Sequence, residues 1–99
     1  MIIRVFRPTV RPGKQSEFES FLRETAVPLV RAQEGMISQH VGVPMTPDDR
    51  EFVYISVWKD VDSIRGFAGE NWQQAVIDPS EEELLEETAI SHYLVLDDG

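Results

Sequence analysis

The chain contains no cysteine among its 99 residues. Disulfide bonds and thiolate chemistry are therefore excluded, while the redox compartment stays undetermined. No apolar run reaches the roughly 20 residues of a membrane-spanning helix, and the N-terminus lacks the apolar core of a signal peptide. We therefore predict a cytoplasmic protein with no membrane partner.

Basic residues are scarce: nine Lys and Arg stand against eighteen Asp and Glu, giving a formal net charge of −9. Nucleic-acid phosphates and anionic lipid surfaces would repel such a chain. We therefore predict no nucleic-acid partner. Much of the acid lies in "DPSEEELLEE", residues 78–87, which we interpret as the solvated face of a helical turn.

Metal and phosphate motifs are also missing. His40 and His92 are far apart, and no HxH, HExxH or acidic cluster with ligand spacing occurs. There is neither a glycine-rich phosphate loop nor a nucleophile elbow. The sequence therefore predicts no metal site and no cofactor.

The length and composition are those of one ordinary globular domain, residues 1–99, with 41% hydrophobic and 27% charged residues. Residue patterns predict, in chain order, strand 2–10, helix 14–33, strand 36–43, strand 51–59, a short helix capped by Asp60 or Asp62, an acidic helical turn begun by Asp78 and Pro79, and strand 88–96. This order, β-α-β-β-α-β, predicts the ferredoxin-like α+β class, a split βαβ arrangement with an antiparallel four-stranded sheet.

Local signals refine the first helix. Ser16 and Glu19 have the spacing of a capping box, and the alternative is a helix start a few residues earlier. Pro28 lies within the helix and is expected to bend its axis. Gly35 is the expected residue that closes the helix in a left-handed conformation.

Both faces of the predicted sheet are apolar. Alternation along the third strand separates two sets of side chains: Val53, Ile55 and Val57 against Phe52, Tyr54 and Trp58. The fourth strand divides in the same way. Two helices cover only one face of such a sheet, so the other face requires a second layer. We therefore predict a homodimer that packs these faces together.

The segment "FAGENWQQAV", residues 67–76, allows two interpretations. In the structural one, Gly69 ends a helix, Asn71 caps the next turn and Trp72 folds back as an apolar plug. In the functional one, Asn71 and Trp72 line a ligand cavity as hydrogen-bond donors.

Together with the order of elements, the segments "VWKDVDSI", "FAGENW" and "HY" make the chain similar to the antibiotic biosynthesis monooxygenase superfamily. The similarity runs from the first strand to Leu96. It implies a dimeric α+β barrel with a cavity between sheet and helices in each subunit. Some members oxygenate polycyclic phenols with dioxygen and neither metal nor flavin, others degrade haem, and many have no known reaction.

The resemblance also argues against haem degradation. Haem-degrading members use an asparagine on the first strand and a tryptophan and a histidine on the second helix. Phe67 occupies the tryptophan position, Ile77 occupies the histidine position, and "RVFRP" contains no asparagine.

His92 is the candidate general base. It lies on the same side of its strand as Ile90 and Leu94, so it is expected to point at an apolar layer. A histidine in a dry cavity accepts a phenolic or enolic proton near neutral pH. The alternative is a core histidine satisfied by a protein partner. Tyr54 is a candidate donor to a ligand, and Phe67 a candidate apolar wall. Arg4 is interpreted as an interface arginine rather than an anion clamp.

Two functions follow as hypotheses. The first is a cofactor-independent monooxygenase-like protein acting on a small aromatic or quinone-type compound, with His92 as base and Tyr54, Phe67, Asn71 and Trp72 around the substrate. The second is a non-catalytic dimeric module that binds a small apolar ligand or serves a structural role, because a fold does not fix a function.

Overall fold

Four antiparallel strands form one sheet in this computed structural model, which describes all residues from 1 to 99. The strands are β1 Ile2–Val10, β2 Met36–Gly42, β3 Val53–Trp58 and β4 Leu85–Leu94, in the spatial order β2-β3-β1-β4. The predicted ferredoxin-like α+β architecture is confirmed. None of the helices is long and apolar enough to cross a membrane.

Strand β1 lies in the middle of the sheet and has the predicted bounds, while β4 begins three residues before the predicted Thr88. The reason is register: β1 pairs with β4 along its whole length, and Val10 lies opposite Leu85 beyond a bulge. Part of the acidic run is therefore strand rather than helix.

The first helical region is divided into α1 Gln15–Phe21, a π-helical segment Leu22–Ala26 and α2 Val27–Arg31. In the π segment the Val27 N–H donates to the carbonyl of Leu22, one residue farther back than in an α-helix. Pro28 follows at once, near the start of α2. The distortion predicted at Pro28 therefore takes the form of a widened turn directly before it.

The predicted capping box at Ser16 is wrong. Lys14 occupies the N-cap and makes no side-chain capping bond. Its N–H donates to the carbonyl of Arg11, so the preceding turn sets the helix start and Ser16 already lies inside α1.

The second helix, α3 Val61–Ala68, begins and ends as predicted. The Asp60 carboxylate accepts a hydrogen bond from the Ser63 N–H at 2.8 Å. Gly69 follows with φ +83°, a conformation that a residue with a Cβ rarely adopts. The predicted Asp78 cap is also confirmed in α4 Pro79–Glu82, where Asp78 and Glu81 form a capping box.

Gly35 does not close the first helix, which ends at Arg31. It lies in the turn before β2, with φ +83°. A Cβ atom on this residue would meet the Oγ of Ser63 at 2.0 Å and its Cβ at 2.4 Å. The residue is therefore a glycine both for its backbone conformation and because α3 approaches it closely.

We predict that Gly35→Ala lowers the free energy of unfolding by more than about 1 kcal/mol, because strain and a steric clash add. Gly13→Ala is the matched control: Gly13 has φ +80°, and a Cβ atom added there would meet nothing within 4 Å. Chemical denaturation of both variants measures the difference. Equal losses would show that the contact with Ser63 carries no cost.

The two faces of the sheet differ in their cover. The helix-facing side holds the core, which includes Phe18, Leu22, Phe52, Trp58 and Ile64. On the other side, Val53, Ile55 and Val57 are half-buried and have no helix over them. The assignment of β3 side chains to opposite faces is thus confirmed.

Candidate functional site

A cavity of about 70 Å³ lies between the helix-facing side of the sheet and the helices, and it is partly open to solvent. Its polar and aromatic wall comes from β1, β3, α3 and α4: Arg4, Phe6, Tyr54, Ser56, Phe67 and Glu81. Aliphatic residues of the π segment and α2, together with Val76 of the loop after α3, complete it. This placement matches the cavity that the sequence resemblance implies.

Four polar side chains lie in register across the sheet on the side that carries this cavity. Arg4 of β1 is opposite His92 of β4 and Ser56 of β3, and Ser56 is opposite Gln39 of β2. We call Gln39, Ser56, Arg4 and His92 the polar row. Its central members, Arg4 and Ser56, line the cavity.

Arg4 is the buried cation of the site, 5% exposed. Its Nη1 donates to the carbonyl of Trp72 and lies 2.9 Å from Nε2 of His92, and Nη2 donates to the carbonyl of Gln74 at 3.0 Å. No carboxylate pairs with it. Burial lowers the pKa of Arg4 to about 10, so the guanidinium is charged at neutral pH.

The Nε–H of Arg4 donates to no protein acceptor. Since no fully enclosed side-chain nitrogen or oxygen of the chain lacks a partner, this nitrogen is not completely enclosed by the protein. The guanidinium carbon also lies 5.9 Å from the ring centroid of Phe67. The interpretation of Arg4 as an interface arginine is wrong, because its strand parity directs it toward the helices.

His92 lies beside the cavity rather than in its wall. An arginine only donates, so Nε2 of His92 accepts from Arg4 and the ring proton resides on Nδ1. Burial and the Arg4 charge both lower the pKa of His92. The imidazole is therefore neutral, and its free electron pair is directed at Arg4.

Tyr54 and Phe67 line the cavity. The Tyr54 hydroxyl donates to Oε1 of Gln39 at 2.5 Å, which leaves its oxygen to act as an acceptor. Burial raises the pKa of Tyr54 to about 12, while the charge of Arg31 opposes the rise. Phe67 stacks on Trp58 with ring centroids 5.5 Å apart.

Trp72 and Asn71 lie outside the cavity wall. Trp72 is half-buried against the core and contacts the His92 ring edge-to-face, with centroids 5.1 Å apart. Asn71 is exposed, and its carbonyl rather than its side chain accepts the N–H of Gln74. The predicted side-chain cap at Asn71 is therefore wrong, and a ligand contact by either residue stays a prediction.

The sequence interpretation missed two polar residues of this wall, Ser56 and Glu81. Ser56 accepts the indole N–H of Trp58 at 2.8 Å, so its own hydroxyl proton is free to be donated. Glu81 is 5% exposed despite its acidic neighbours. A signal for Glu81 was present, since it lies three residues after a residue expected to cap a helix, but its burial depends on the tertiary fold.

No group of three or more His, Asp or Glu side chains is arranged to hold a metal ion. The chemistry of the wall is that of one guanidinium, one carboxyl, two hydroxyls and three aromatic rings. Such a set suits an anionic oxygen on a small ring.

The fold and this site define a class: a ferredoxin-like α+β protein with a small cavity between sheet and helices. The profile of the antibiotic biosynthesis monooxygenase family matches residues 1–78. The chain belongs to that family, and the resemblance seen in the sequence is confirmed. No curated protein matches the chain.

Solved structures share the fold at low identity. A Pseudomonas aeruginosa protein is 23% identical with a TM-score of 0.75, over 97% of this chain and 94% of that one. A Shewanella oneidensis protein is 18% identical with a TM-score of 0.76, over 93% and 87%. SnoaB, a cofactor-independent oxygenase from Streptomyces nogalater, is 25% identical with a TM-score of 0.70, over 98% and 94%.

Proposed function

We propose that the protein is a monooxygenase-like enzyme that oxygenates a small phenol, hydroquinone or related enol with dioxygen, without metal or flavin. The observation that carries the proposal is the cavity itself, in which a buried guanidinium without a carboxylate partner faces aromatic and aliphatic walls. Family membership and the likeness to SnoaB, a cofactor-independent oxygenase, support it.

The reaction balances with dioxygen as the oxidant. A phenol loses its O–H proton, and the electron pair left on oxygen makes the para carbon electron-rich. That carbon bonds to dioxygen to give a peroxide anion, which takes back the proton and becomes a hydroperoxide. The hydroperoxide loses water, made from its terminal O–H group and the hydrogen on the ring carbon, as that carbon becomes a carbonyl. One oxygen atom ends in the quinone and the other in water, and the substrate supplies all the electrons.

Arg4 has the properties that this chemistry requires. An oxyanion at its Nε–H would meet a full positive charge at a largely buried group, where such an interaction is stronger than in bulk water. The Ser56 hydroxyl lies opposite Arg4 in the sheet register and provides a second donor. His92 then acts on Arg4, because it holds Nη1 through a hydrogen bond.

The volume of the cavity limits the size of the substrate. A closed cavity of roughly 150 Å³ admits one benzene ring, whereas this cavity has about 70 Å³ and is partly open. We therefore propose a substrate with a single ring, one edge of which stays at the cavity mouth. The small volume equally favours the alternative from the sequence, a module that binds a small apolar ligand without reaction.

The direct test is oxygen uptake by chelator-treated protein with a panel of one-ring and fused-ring phenols and hydroquinones. We expect uptake and quinone absorbance with one-ring compounds only. Binding without oxygen uptake would support the non-catalytic module, and a strict requirement for added metal or flavin would overturn the proposal.

Arg4→Met tests the guanidinium. The substitution replaces the buried cation by an apolar chain of similar length and removes the donor to the oxyanion, so we expect kcat/KM to fall on the order of 10²–10³-fold. Arg65→Met is the control, because Arg65 is exposed on α3 and pairs only with Asp62. Circular dichroism checks the fold. An Arg4→Met enzyme with wild-type kcat/KM would remove Arg4 from the mechanism.

We further propose that the active form is a homodimer joined through the uncovered sheet face. Ile3, Val5, Val53, Ile55 and Val57 lie on this face, with Tyr93 of β4 at 51% exposure beside them. A second copy of the chain carries the same face, and a two-fold axis packs the two equivalent faces against each other.

A further inference from the structure

Glu81 is the one buried acidic side chain of the molecule. It is the third residue of α4, and its neighbours Glu82 and Glu83 are exposed. Glu81 lines the same cavity as Arg4, Tyr54 and Ser56. A buried carboxyl beside a cavity exchanges a proton with a bound ligand, whereas the solvated glutamates around it exchange protons with water.

The two carboxyl oxygens of Glu81 have different surroundings. Oε1 accepts the backbone N–H of Asp78 at 2.9 Å, which closes the capping box. Oε2 has no hydrogen-bond partner in the chain, and no lysine or arginine forms an ion pair with the group. Since no fully enclosed side-chain oxygen lacks a partner, Oε2 is not completely enclosed by the protein.

Glu81 and Arg4 therefore line one small cavity with opposite charges and do not neutralise each other. A buried charge without a partner is costly, and this arrangement leaves two of them. A molecule that gives a proton to Glu81 and presents the resulting oxyanion to Arg4 would satisfy both groups at once.

Burial raises the pKa of Glu81 to about 7; the hydrogen bond from the Asp78 N–H lowers it, and the negative charge of Asp78 raises it further. Among the other groups around the site, the pKa of Arg4 is about 10, that of Tyr54 is about 12, and those of Asp78 and His92 lie below their ordinary values. Glu81 is thus the carboxyl of the site that changes charge near neutral pH.

We propose that Glu81 is the catalytic proton acceptor of the cavity and that His92 is a positioning residue for Arg4. The proposal rests on the proposed oxygenation. A phenolic or enolic O–H bond breaks, its electron pair stays on the oxygen facing Arg4, and the proton moves to Oε2 of Glu81. The acid formed in this way returns the proton to the peroxide anion, which becomes the hydroperoxide that later loses water.

Glu81→Gln removes proton acceptance and keeps the local structure, because glutamine at the third position of a helix also completes a capping box. It keeps the bond to the Asp78 N–H and the side-chain volume but accepts no proton. Glu82→Gln, at the exposed neighbouring position, is the matched control for a change of net charge.

The probe is 4-fluorophenol at pH 8, where it is un-ionised in water and Glu81 is mostly ionised. Its ¹⁹F chemical shift separates phenol from phenolate, and a pH indicator in weak buffer records proton release. We expect wild-type protein and Glu82→Gln to bind phenolate with no release of protons. Glu81→Gln should bind the neutral phenol, or bind phenolate with a proton released to solvent.

The outcomes separate the two proposals. Phenolate bound by Glu81→Gln as by wild type, with no proton released, would overturn the role of Glu81 and leave the proposed function intact. Failure of wild-type protein to bind the phenol at all would overturn both. With a turnover substrate, kcat/KM of wild type should rise as the pH passes about 7 and should lose that dependence in Glu81→Gln.

The pH dependence of stability tests the raised pKa of Glu81 without any ligand, because proton binding is linked to folding. The folded-state pKa of Glu81 is raised above its ordinary value of 4.5, so the folded protein binds the proton more tightly than the unfolded chain. Its contribution to stability is therefore present below pH 4.5 and is lost as the pH rises toward about 7. The melting temperature of wild type relative to Glu81→Gln should fall across that window, and parallel melting curves would contradict the assignment.

Discussion

Replacing Trp58 with alanine should lower the free energy of unfolding by about 3–5 kcal/mol, the cost of removing a large aromatic side chain from a packed core. Trp58 is 0% exposed at the end of β3. Its ring stacks on Phe67, and its indole N–H donates to Ser56. The substitution would leave a void under α3 and free the Ser56 hydroxyl that borders the cavity.

Trp72→Ala is the matched control for the loss of Trp58, because it removes the same side chain from a half-buried position in the loop after α3. We expect a smaller loss, since the contact with His92 is edge-to-face at one side of the ring. Urea denaturation of both variants gives the two values. A Trp58→Ala protein within about 1 kcal/mol of wild type would contradict the packing described above.

The order of elements and the two faces of the sheet were predictable because they depend on short-range patterns. Side chains alternate along a strand, so β3 divides into buried and uncovered sets without knowledge of its neighbours. Helix ends were predictable where a side chain acts on the nearby backbone, as at Asp60, Gly69 and Asp78. These signals span no more than a few residues.

Register was not predictable, and the site depends on it. The contact between Arg4 and His92 exists because β1 and β4 pair with these residues opposite one another, 88 positions apart in the chain. His92 was expected to face a ligand with a free ring nitrogen. The facing arginine instead takes the Nε2 electron pair, which no local pattern reveals.

The burial of Glu81 could not be predicted from the composition of its segment. Four of the six residues in "SEEELL", 80–85, are polar, and such a run is usually solvated. The capping box turns one of its carboxyls back over the helix start, and the packing of α4 against the cavity buries it. Short-range spacing determines the hydrogen bond, whereas only the tertiary fold creates the environment that raises the pKa of the carboxyl.

The second large effect is expected from Ile55→Asp, which should separate the proposed dimer into single chains. Ile55 lies in the middle of the uncovered sheet face, opposite Val5 of β1 and His40 of β2. A two-fold interface would bury two new carboxylates without cationic partners, and each such burial costs several kcal/mol. We expect the wild-type protein to sediment at micromolar concentration as a particle of twice 11.3 kDa, with no folded monomer. The Ile55→Asp protein should sediment as one chain and should have a lower melting temperature.

Leu29→Asp is the control for this experiment, because Leu29 is 49% exposed on α2, at the opposite surface of the molecule from the uncovered sheet face. It introduces the same carboxylate in place of a similar aliphatic side chain, so it should stay dimeric and keep its melting temperature within a few degrees of wild type. Circular dichroism distinguishes a folded monomer from an unfolded chain. A wild-type protein that is a stable folded monomer at micromolar concentration, or an Ile55→Asp protein that remains a dimer, would show that this face is not where two copies meet.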